Sequence, residues 1–125
     1  MRYRVTHRTE YNYYAVRDET GALAGFCCYG ADAQVPGGDY ALPAVDVGRG
    51  MNPDRLGQGR SHGFLAAILD WGRECFEPEF FRATIADVNV RSQALFARAG
   101  FLIVQRFRAG EAEPHDFVVM VRGER

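Results

Sequence analysis

The chain has 125 residues, of which 47% are hydrophobic and 25% are charged, a balance that is typical of a single soluble globular domain spanning residues 1–125. Its formal net charge of -1 at pH 7 excludes a global electrostatic attraction to nucleic acids or to membranes. No apolar stretch has the length of a membrane span, and residues 1–5 lack the apolar core of a signal peptide, so we expect a cytoplasmic protein.

The residue types also limit the chemistry. All fifteen basic residues are arginine, so a Schiff-base lysine is excluded. The cysteines form neither a disulfide framework nor a zinc-binding spacing, and we expect them to be small buried hydrophobic residues. No histidine lies near them in sequence, and we expect no metal. These residues are Cys27, Cys28 and Cys75, and His7, His62 and His115.

Periodicity and turn residues predict the elements in chain order. Residues 1–10 are polar and form either a short strand through Tyr3 and Val5 or a loose arm. Asn89 is typical of a helix N-cap, and Gly100 of the position that follows a helix. Strands are predicted over 11–18, 23–29, 41–51, 81–87, 101–107 and 117–121, helices from a glycine turn to about 75 and over 90–99, and a frayed tail over 122–125.

The resulting order is β-β-β-α-β-α-β-β. The strand–helix–strand unit from 41 to 87 predicts a right-handed crossover and a parallel pair of strands. The other neighbouring strands are expected to be antiparallel, which makes a mixed sheet with helices on its faces. Gly48 and Gly50 inside the third strand predict either a bulge or a splayed edge.

The glycine turn between that strand and the first helix has the features of an anion site. Glycines let the backbone approach a ligand closely. The unpaired amides of the first helical turn point outward at the positive end of the helix dipole. The turn lies within residues 51–61, Met-Asn-Pro-Asp-Arg-Leu-Gly-Gln-Gly-Arg-Ser.

Two stretches carry a resemblance to a known family. Residues 51–61 resemble the acetyl-CoA-binding loop of the GNAT superfamily of N-acetyltransferases, which follows a strand and opens a helix. Residues 89–101, Asn-Val-Arg-Ser-Gln-Ala-Leu-Phe-Ala-Arg-Ala-Gly-Phe, resemble a second motif of that superfamily. Their spacing and the order of the elements also match, so the resemblance implies a GNAT-like sheet, mostly antiparallel with a central parallel pair.

The resemblance implies direct transfer of an acetyl group from acetyl-CoA to a primary amine of a small molecule or a peptide, without a metal. The amides of the loop would hold the CoA pyrophosphate, and the end of the third strand would bond the pantetheine arm and the acetyl carbonyl. Asn89 would contact the arm, or would be a plain N-cap. The implied cofactor-binding residues are Gly50, Met51, Asn52, Gly57, Gln58, Gly59, Arg60, Ser61, Asn89 and Phe96.

Three residues depart from the motifs. Leu56 replaces an arginine or glutamine, and Ser61 replaces a glycine or alanine. Phe96 replaces a tyrosine that in many members protonates the leaving thiolate; a phenyl ring cannot do so. Phe96 would then be a core contact, and either water or another group would assist the thiolate or the thiolate would leave unassisted.

The acceptor side is less clearly specified. Asp46 is the candidate general base; the alternative is that it is a solvated or arginine-paired strand residue. His62 either reaches a phosphate or is exposed without a role. Tyrosines of the first two strands either line the acceptor pocket or simply pack: Tyr11, Tyr13, Tyr14 and Tyr29.

At most ten residues precede Tyr11, so we expect that the N-terminal helices of the superfamily are missing. The acceptor site would then either be unusually open or receive its wall from a second subunit, and we predict a homodimer. An alternative function is an acyl-CoA-binding module with weak or no catalysis. A nucleotide-binding domain is disfavoured, because neither a P-loop lysine nor a long Rossmann glycine pattern occurs.

Overall fold

The structure, a computed structural model, describes residues 2–8, 13–55 and 59–124. Two short 3-10 helices, Ala31–Ala33 and Pro53–Arg55, lie before and after the fourth strand. The other elements are β1 (Tyr3–Arg8), β2 (Tyr13–Asp18), β3 (Leu23–Tyr29), β4 (Val45–Met51), α1 (Ser61–Phe76), β5 (Phe80–Ala86), α2 (Val90–Arg98), β6 (Leu102–Ala109) and β7 (His115–Gly123).

The strands of the described residues form one seven-stranded sheet in the order β1-β2-β3-β4-β5-β7-β6. Strands β4 and β5 are parallel and are connected through α1, whereas the other neighbouring pairs are antiparallel. This confirms the predicted mixed sheet with a central parallel pair. The N-terminal segment forms a strand, because Tyr3 pairs with Asp18 and Val5 with Val16 on the neighbouring hairpin.

Both helices pack on the same face of the sheet. Their buried side chains join one core with alternate residues of β5, Phe81, Ala83 and Ile85. Helix α2 begins after Asn89, whose side chain accepts a hydrogen bond from the amide of Ser92 at 3.2 Å, as expected of an N-cap. The buried helical residues are Phe64, Leu65, Ile68, Leu69 and Gly72 in α1, and Leu95 and Phe96 in α2.

Three local predictions are wrong. Cys75 is exposed, like the other residues of the last turn of α1, whereas Cys27 and Cys28 are buried as expected. Strand β4 begins at Val45 rather than at residue 41, since the preceding segment crosses the sheet instead of joining it. Residues 122–124 are not frayed, because β7 runs to residue 123 and the amide of Glu124 donates to the carbonyl of Glu79 at 2.9 Å.

The segment between β3 and β4 partly covers the opposite face of the sheet. The hydroxyl of Tyr40 lies 2.8 Å from that of Thr84 on β5, and the carbonyl of Leu42 accepts a hydrogen bond from Arg82 at 2.7 Å. Beyond this segment the face is more open, and the side chain of Phe26 is 47% exposed. In the part of the chain that the structure describes, no helix is long and apolar enough to cross a membrane.

Candidate functional site

The sheet opens between its two parallel strands. Strand β4 pairs with β5 only at Val45 and Asp46, whereas it pairs with β3 in regular register as far as Met51. Of the two alternatives predicted from Gly48 and Gly50, the splayed edge is therefore present and the bulge is not. The last five residues of β4 thus direct one backbone edge into the opening rather than toward β5.

A cavity of about 550 Å³ lies at this opening, on the face that carries the helices. The N-termini of both helices face it, so the positive ends of two helix dipoles act on the same space. Its described lining contains three arginines and a histidine but neither an aspartate nor a glutamate. The lining residues are Arg49, Gly50, Met51, Gly59, Ser61, His62, Asn89, Arg91, Ser92, Leu95 and Arg98.

The structure brings together many of the residues that the sequence singled out. Gly50, Met51, Gly59, Ser61 and Asn89 all line the cavity. The hydroxyl of Ser61 lies 3.9 Å from the sulfur of Met51, which joins the start of α1 to the end of β4. These contacts place Gly59 and the start of α1 beside the end of β4, at the opening.

Gly59 shows why this turn needs glycine. Its φ of +69° lies in the left-handed region, which residues other than glycine adopt only at a cost in conformational energy. No atom of the described residues outside its chain neighbours lies within 4 Å of the position that a Cβ would take, so the backbone conformation is the reason for glycine here.

Other predicted residues lie beside the cavity or outside the description. Asn52 follows β4, and its amide donates to the carbonyl of Ala24 at 2.7 Å. Arg60 precedes α1 without a side-chain cap and is not among the lining residues. Phe96 is 2% exposed and stacks edge-on against Phe101, with the ring centroids 4.9 Å apart. Leu56, Gly57, Gln58 and Tyr11 lie outside the described residues.

Asp46 is held in a buried ion pair. Its carboxylate oxygens accept hydrogen bonds from Nε and Nη2 of Arg82 at 2.6 and 2.7 Å, and one oxygen also accepts from Gln34 at 2.9 Å. Asp46 is 2% exposed and does not line the cavity. This geometry favours the arginine-paired role over the general base.

The segment that precedes the glycine turn is held by an ion pair to the neighbouring hairpin. Asp18 of the β2–β3 turn forms an ion pair with Arg55, in the 3-10 helix that follows β4. Hydrogen bonds from the hydroxyl of Thr20 and from Arg55 hold the pKa of Asp18 well below its usual value. The pair therefore fixes the chain just before the turn.

A second cavity, of about 490 Å³, lies beside the end of β4 and shares Gly50 and Met51 with the first. Aromatic and aliphatic side chains dominate its described lining, in which Arg17 is the charged residue. Tyr29 lies elsewhere, since its hydroxyl donates to the carbonyl of Ile68 at 2.6 Å. The lining residues are Tyr13, Tyr14, Ala15, Arg17, Leu23, Gly25, Phe26, Gly50, Met51, Asn52 and Pro53.

Arg49 is a site residue that sequence reasoning missed. It occupies the β4 position between Val47 and Met51, which both join the core, so its side chain points toward the helices. An arginine in alternation with buried apolar residues is the signal that could have identified it.

The described residues offer few groups for covalent or metal chemistry. Burial raises the pKa of the Cys27 thiol to about 12, which leaves it a poor nucleophile. No three His, Cys, Asp or Glu side chains in the described ranges cluster in a way that could hold a metal ion. His62 is exposed at the edge of the first cavity.

Comparison with known proteins identifies the fold. An acetyltransferase of the GNAT family from Bacillus anthracis superimposes with a TM-score of 0.72 at 16% identity, over 90% of this chain and 66% of that one. Spermidine N-acetyltransferase from Vibrio cholerae, in complex with CoA and spermine, superimposes with a TM-score of 0.73 at 15% identity, over 90% of this chain and 64% of that one.

The chain thus spans slightly less than two-thirds of the length of these structures. No protein-family model matches the chain, and no curated protein matches its sequence. At these identities the likeness establishes the fold, and the chain has the fold of the GNAT-family acetyltransferases.

Proposed function

We propose that the chain is an acetyl-CoA-dependent N-acetyltransferase that transfers an acetyl group directly to a primary amine. The observation that carries this proposal is the opening between β4 and β5, which lies under two helix N-termini and has arginine but no carboxylate in its described lining. The CoA bound to the structurally similar spermidine N-acetyltransferase supports the same cosubstrate.

The phosphate groups of CoA suit the mouth of the first cavity. The turn at Gly59 and the first amides of α1 supply hydrogen-bond donors, and Arg91 and Arg98 supply charge. CoA carries several negative charges, which these groups offset without a metal. Gly57 and Gln58 would belong to the same cradle, as the resemblance implies.

The backbone edge of β4 suits the pantetheine arm. Peptide groups of residues 47–51 face the opening on the side that β5 leaves. The two amides of the arm can add to this edge as a further strand would, since backbone donors and acceptors need partners. An amide of β4 that donates to the acetyl oxygen would polarise the carbonyl for attack by the amine.

The second cavity suits the body of the acceptor amine, because it meets the first at Gly50 and Met51. Its described lining is aromatic and apolar, with Arg17 as its charged residue and no carboxylate. A polyamine would meet a repulsive charge there, whereas an amine with an aromatic or aliphatic body would bury apolar surface. We therefore propose an apolar amine rather than a polyamine as the acceptor.

An acyl-CoA-binding module with little or no catalysis is the second candidate. Both oxygens of Asp46 are engaged by Arg82, and Phe96 has no hydroxyl group. A protein with these features could hold the cosubstrate without an efficient general base or general acid. This candidate shares the first cavity with the enzyme and differs only in turnover.

Two assays test the proposal and separate the candidates. Acetyl-CoA and CoA are expected to raise the melting temperature, whereas ATP at the same concentration is expected to raise it less. Release of CoA thiol is then measured with phenethylamine, hexylamine and spermidine, and the first two are expected to react faster. Stabilisation by ATP alone would contradict a CoA site, and tight acetyl-CoA binding without turnover of any amine would favour the binding module.

We also propose that the protein forms a homodimer. Leu23 and Phe26, at the edge of the second cavity, are 50% and 47% exposed, and a partner subunit could cover them and complete the acceptor wall. Light scattering after size exclusion is expected to give twice the mass of the chain. A monomer at micromolar concentration would contradict this.

A further inference from the structure

Arg49 occupies an unusual position in the first cavity. Its side chain leaves β4 on the face of the helices, and its Nη2 group donates to the hydroxyl of Ser92 on α2 at 3.3 Å. The guanidinium carbon lies 5.7 Å from the centre of the Phe96 ring. The cation is thus held between the open end of the sheet and α2.

Arg49 differs from the other inward-facing arginines in its partners. Arg82 and Arg55 pair with Asp46 and Asp18, respectively. Arg49 makes no ion pair with any described residue, and its Nε is buried without a hydrogen-bond acceptor among them. Burial lowers the pKa of Arg49, yet a guanidinium remains charged at neutral pH. Arg49 as a whole is half-buried, but its buried Nε lacks a hydrogen-bond acceptor among the described residues, and an anion in the cavity would supply one.

The depth of Arg49 distinguishes it from the groups that suit the phosphates. Met51 contacts Ser61 at the start of α1, which marks the mouth of the cavity. Arg49 lies two residues back along β4, about 7 Å deeper. Pairing with β5 begins at Asp46, just beyond it. Arg49 therefore lies where the thioester end of a cosubstrate would enter the opening.

The leaving group is the CoA sulfur, and the negative charge that develops on it can be stabilised at this depth. Attack by the amine forms a carbon–nitrogen bond to the acetyl carbon and breaks the carbon–sulfur bond, so the electron pair remains on sulfur. The amine proton passes to solvent, and the CoA sulfur leaves as a thiolate. The Phe96 ring beside Arg49 has no hydroxyl group to donate a proton, and the hydroxyl of Ser92 on α2 accepts a hydrogen bond from Arg49.

We propose that Arg49 is a catalytic residue that stabilises the departing CoA thiolate by its charge and by a hydrogen bond from Nε. This inference rests on the proposed function, because it assigns a role within the same site. Arg49 does not act as a general acid, since arginine does not give up its proton at neutral pH. The charged and titratable side chains in the described lining of the cavity are Arg49 from β4, His62 from α1, and Arg91 and Arg98 from α2.

The thiol of bound CoA provides a test that does not depend on turnover. Thiolate absorbs in the ultraviolet, so its titration in the complex reports the pKa of the bound thiol. Beside a cation that pKa is expected to lie about 1 to 3 below the value in free CoA. It is expected to return to the free value in Arg49→Gln and to be partly lowered in Arg49→Lys, which keeps the charge.

Arg91→Gln is the matched control, because it removes an exposed arginine from the lining of the same cavity. It is expected to weaken CoA binding but to leave the pKa of the bound thiol unchanged. Turnover of Arg49→Gln is expected to fall about 10-fold or more, with the Kd of acetyl-CoA changed far less.

Three results would overturn the inference. The wild-type complex could show an unshifted thiol, which needs no variant and so is independent of whether Arg49→Gln folds. Arg49→Gln could keep the lowered thiol pKa. It could also weaken acetyl-CoA and CoA equally at high pH, which would make Arg49 a phosphate ligand. Failure of CoA to bind the wild-type protein would instead contradict the proposed function.

Discussion

At the scale of single residues, substitution of Gly25 on β3 is expected to affect stability, whereas substitution of Gly50 on β4 is expected to affect acceptor binding. A Cβ on Gly25 would lie 2.2 Å from the carbonyl oxygen of Gly50 and 2.9 Å from the Cα of Met51, both of which are backbone atoms. A Cβ on Gly50 would instead meet the ring of Phe26 at 2.4 Å. That ring is half-exposed and can turn away, whereas the backbone cannot.

Gly25→Ala is therefore expected to destabilise the protein by about 1 to 3 kcal/mol, because β3 and β4 must separate to admit the methyl group. Gly50→Ala is expected to change stability less and to raise the KM of the amine, because Phe26 would turn into the second cavity. Urea unfolding and steady-state kinetics measure the two effects. Equal loss of stability in both variants, with an unchanged KM, would contradict this assignment.

At the scale of elements, the ion pair between Asp18 and Arg55 connects the β2–β3 turn to the segment that leads into the glycine turn. Asp18→Asn keeps a hydrogen-bond acceptor but removes the charge that Arg55 binds. The variant is expected to unfold at lower urea at pH 7 and to bind CoA several-fold more weakly, because the segment before the turn loses its brace.

The pH dependence follows from the direction of the shift in the pKa of Asp18. A pKa that is lowered in the folded state stabilises the protein above the unfolded value of about 3.9, and this contribution is lost as the pH falls through the folded value. The difference between the urea midpoints of wild type and Asp18→Asn should thus begin to shrink below about pH 4 and should be smaller at pH 3 than at pH 7. Asp116→Asn, which removes an exposed ion pair with Arg108, is the control and should change stability by less than about 1 kcal/mol. Midpoints that differ equally at pH 7 and pH 3 would refute a role for the charge.

The pair of Asp46 and Arg82 joins β4 to β5 at the closed end of the opening, and each side chain is 3% exposed. Asp46→Asn leaves Arg82 buried without its counter-ion and is expected to cost about 3 to 5 kcal/mol. Replacement of both, as Asp46→Leu with Arg82→Met, is expected to recover most of the stability and to retain acetyl transfer. A double variant that folds but has no turnover would support the hypothesis that Asp46 is the general base.

At the scale of the whole molecule, the crossover through α1 places two chemically different cavities on either side of the same strand end. The first is lined by arginine and faces the helices, and the second is largely apolar. Gly50 and Met51 belong to both, so a reaction centre at the end of β4 can be reached from each. We infer that this arrangement keeps the charged cosubstrate apart from the acceptor.

The sequence predicted the order of the helices and strands, because their signals are local. Helical spacing in α1, the cap at Asn89 and the left-handed glycine at residue 100 depend on neighbours within a few positions. The partners of Arg49 and Asp46 lie 43 and 36 positions away, on elements whose register no local pattern specifies. For this reason the position of Arg49 in the cavity and the identity of the arginine that pairs with Asp46 could be seen only in the folded structure.

The position of the CoA site is the central claim, and backbone amide chemical shifts recorded during a titration with CoA test it most directly. The largest changes are expected at residues 49–51, 59–62 and 89–92, which surround the opening between β4 and α2. Changes centred on Asp39, Leu42 and Gln105, which line a cavity on the opposite face, or no changes at saturating CoA, would contradict it.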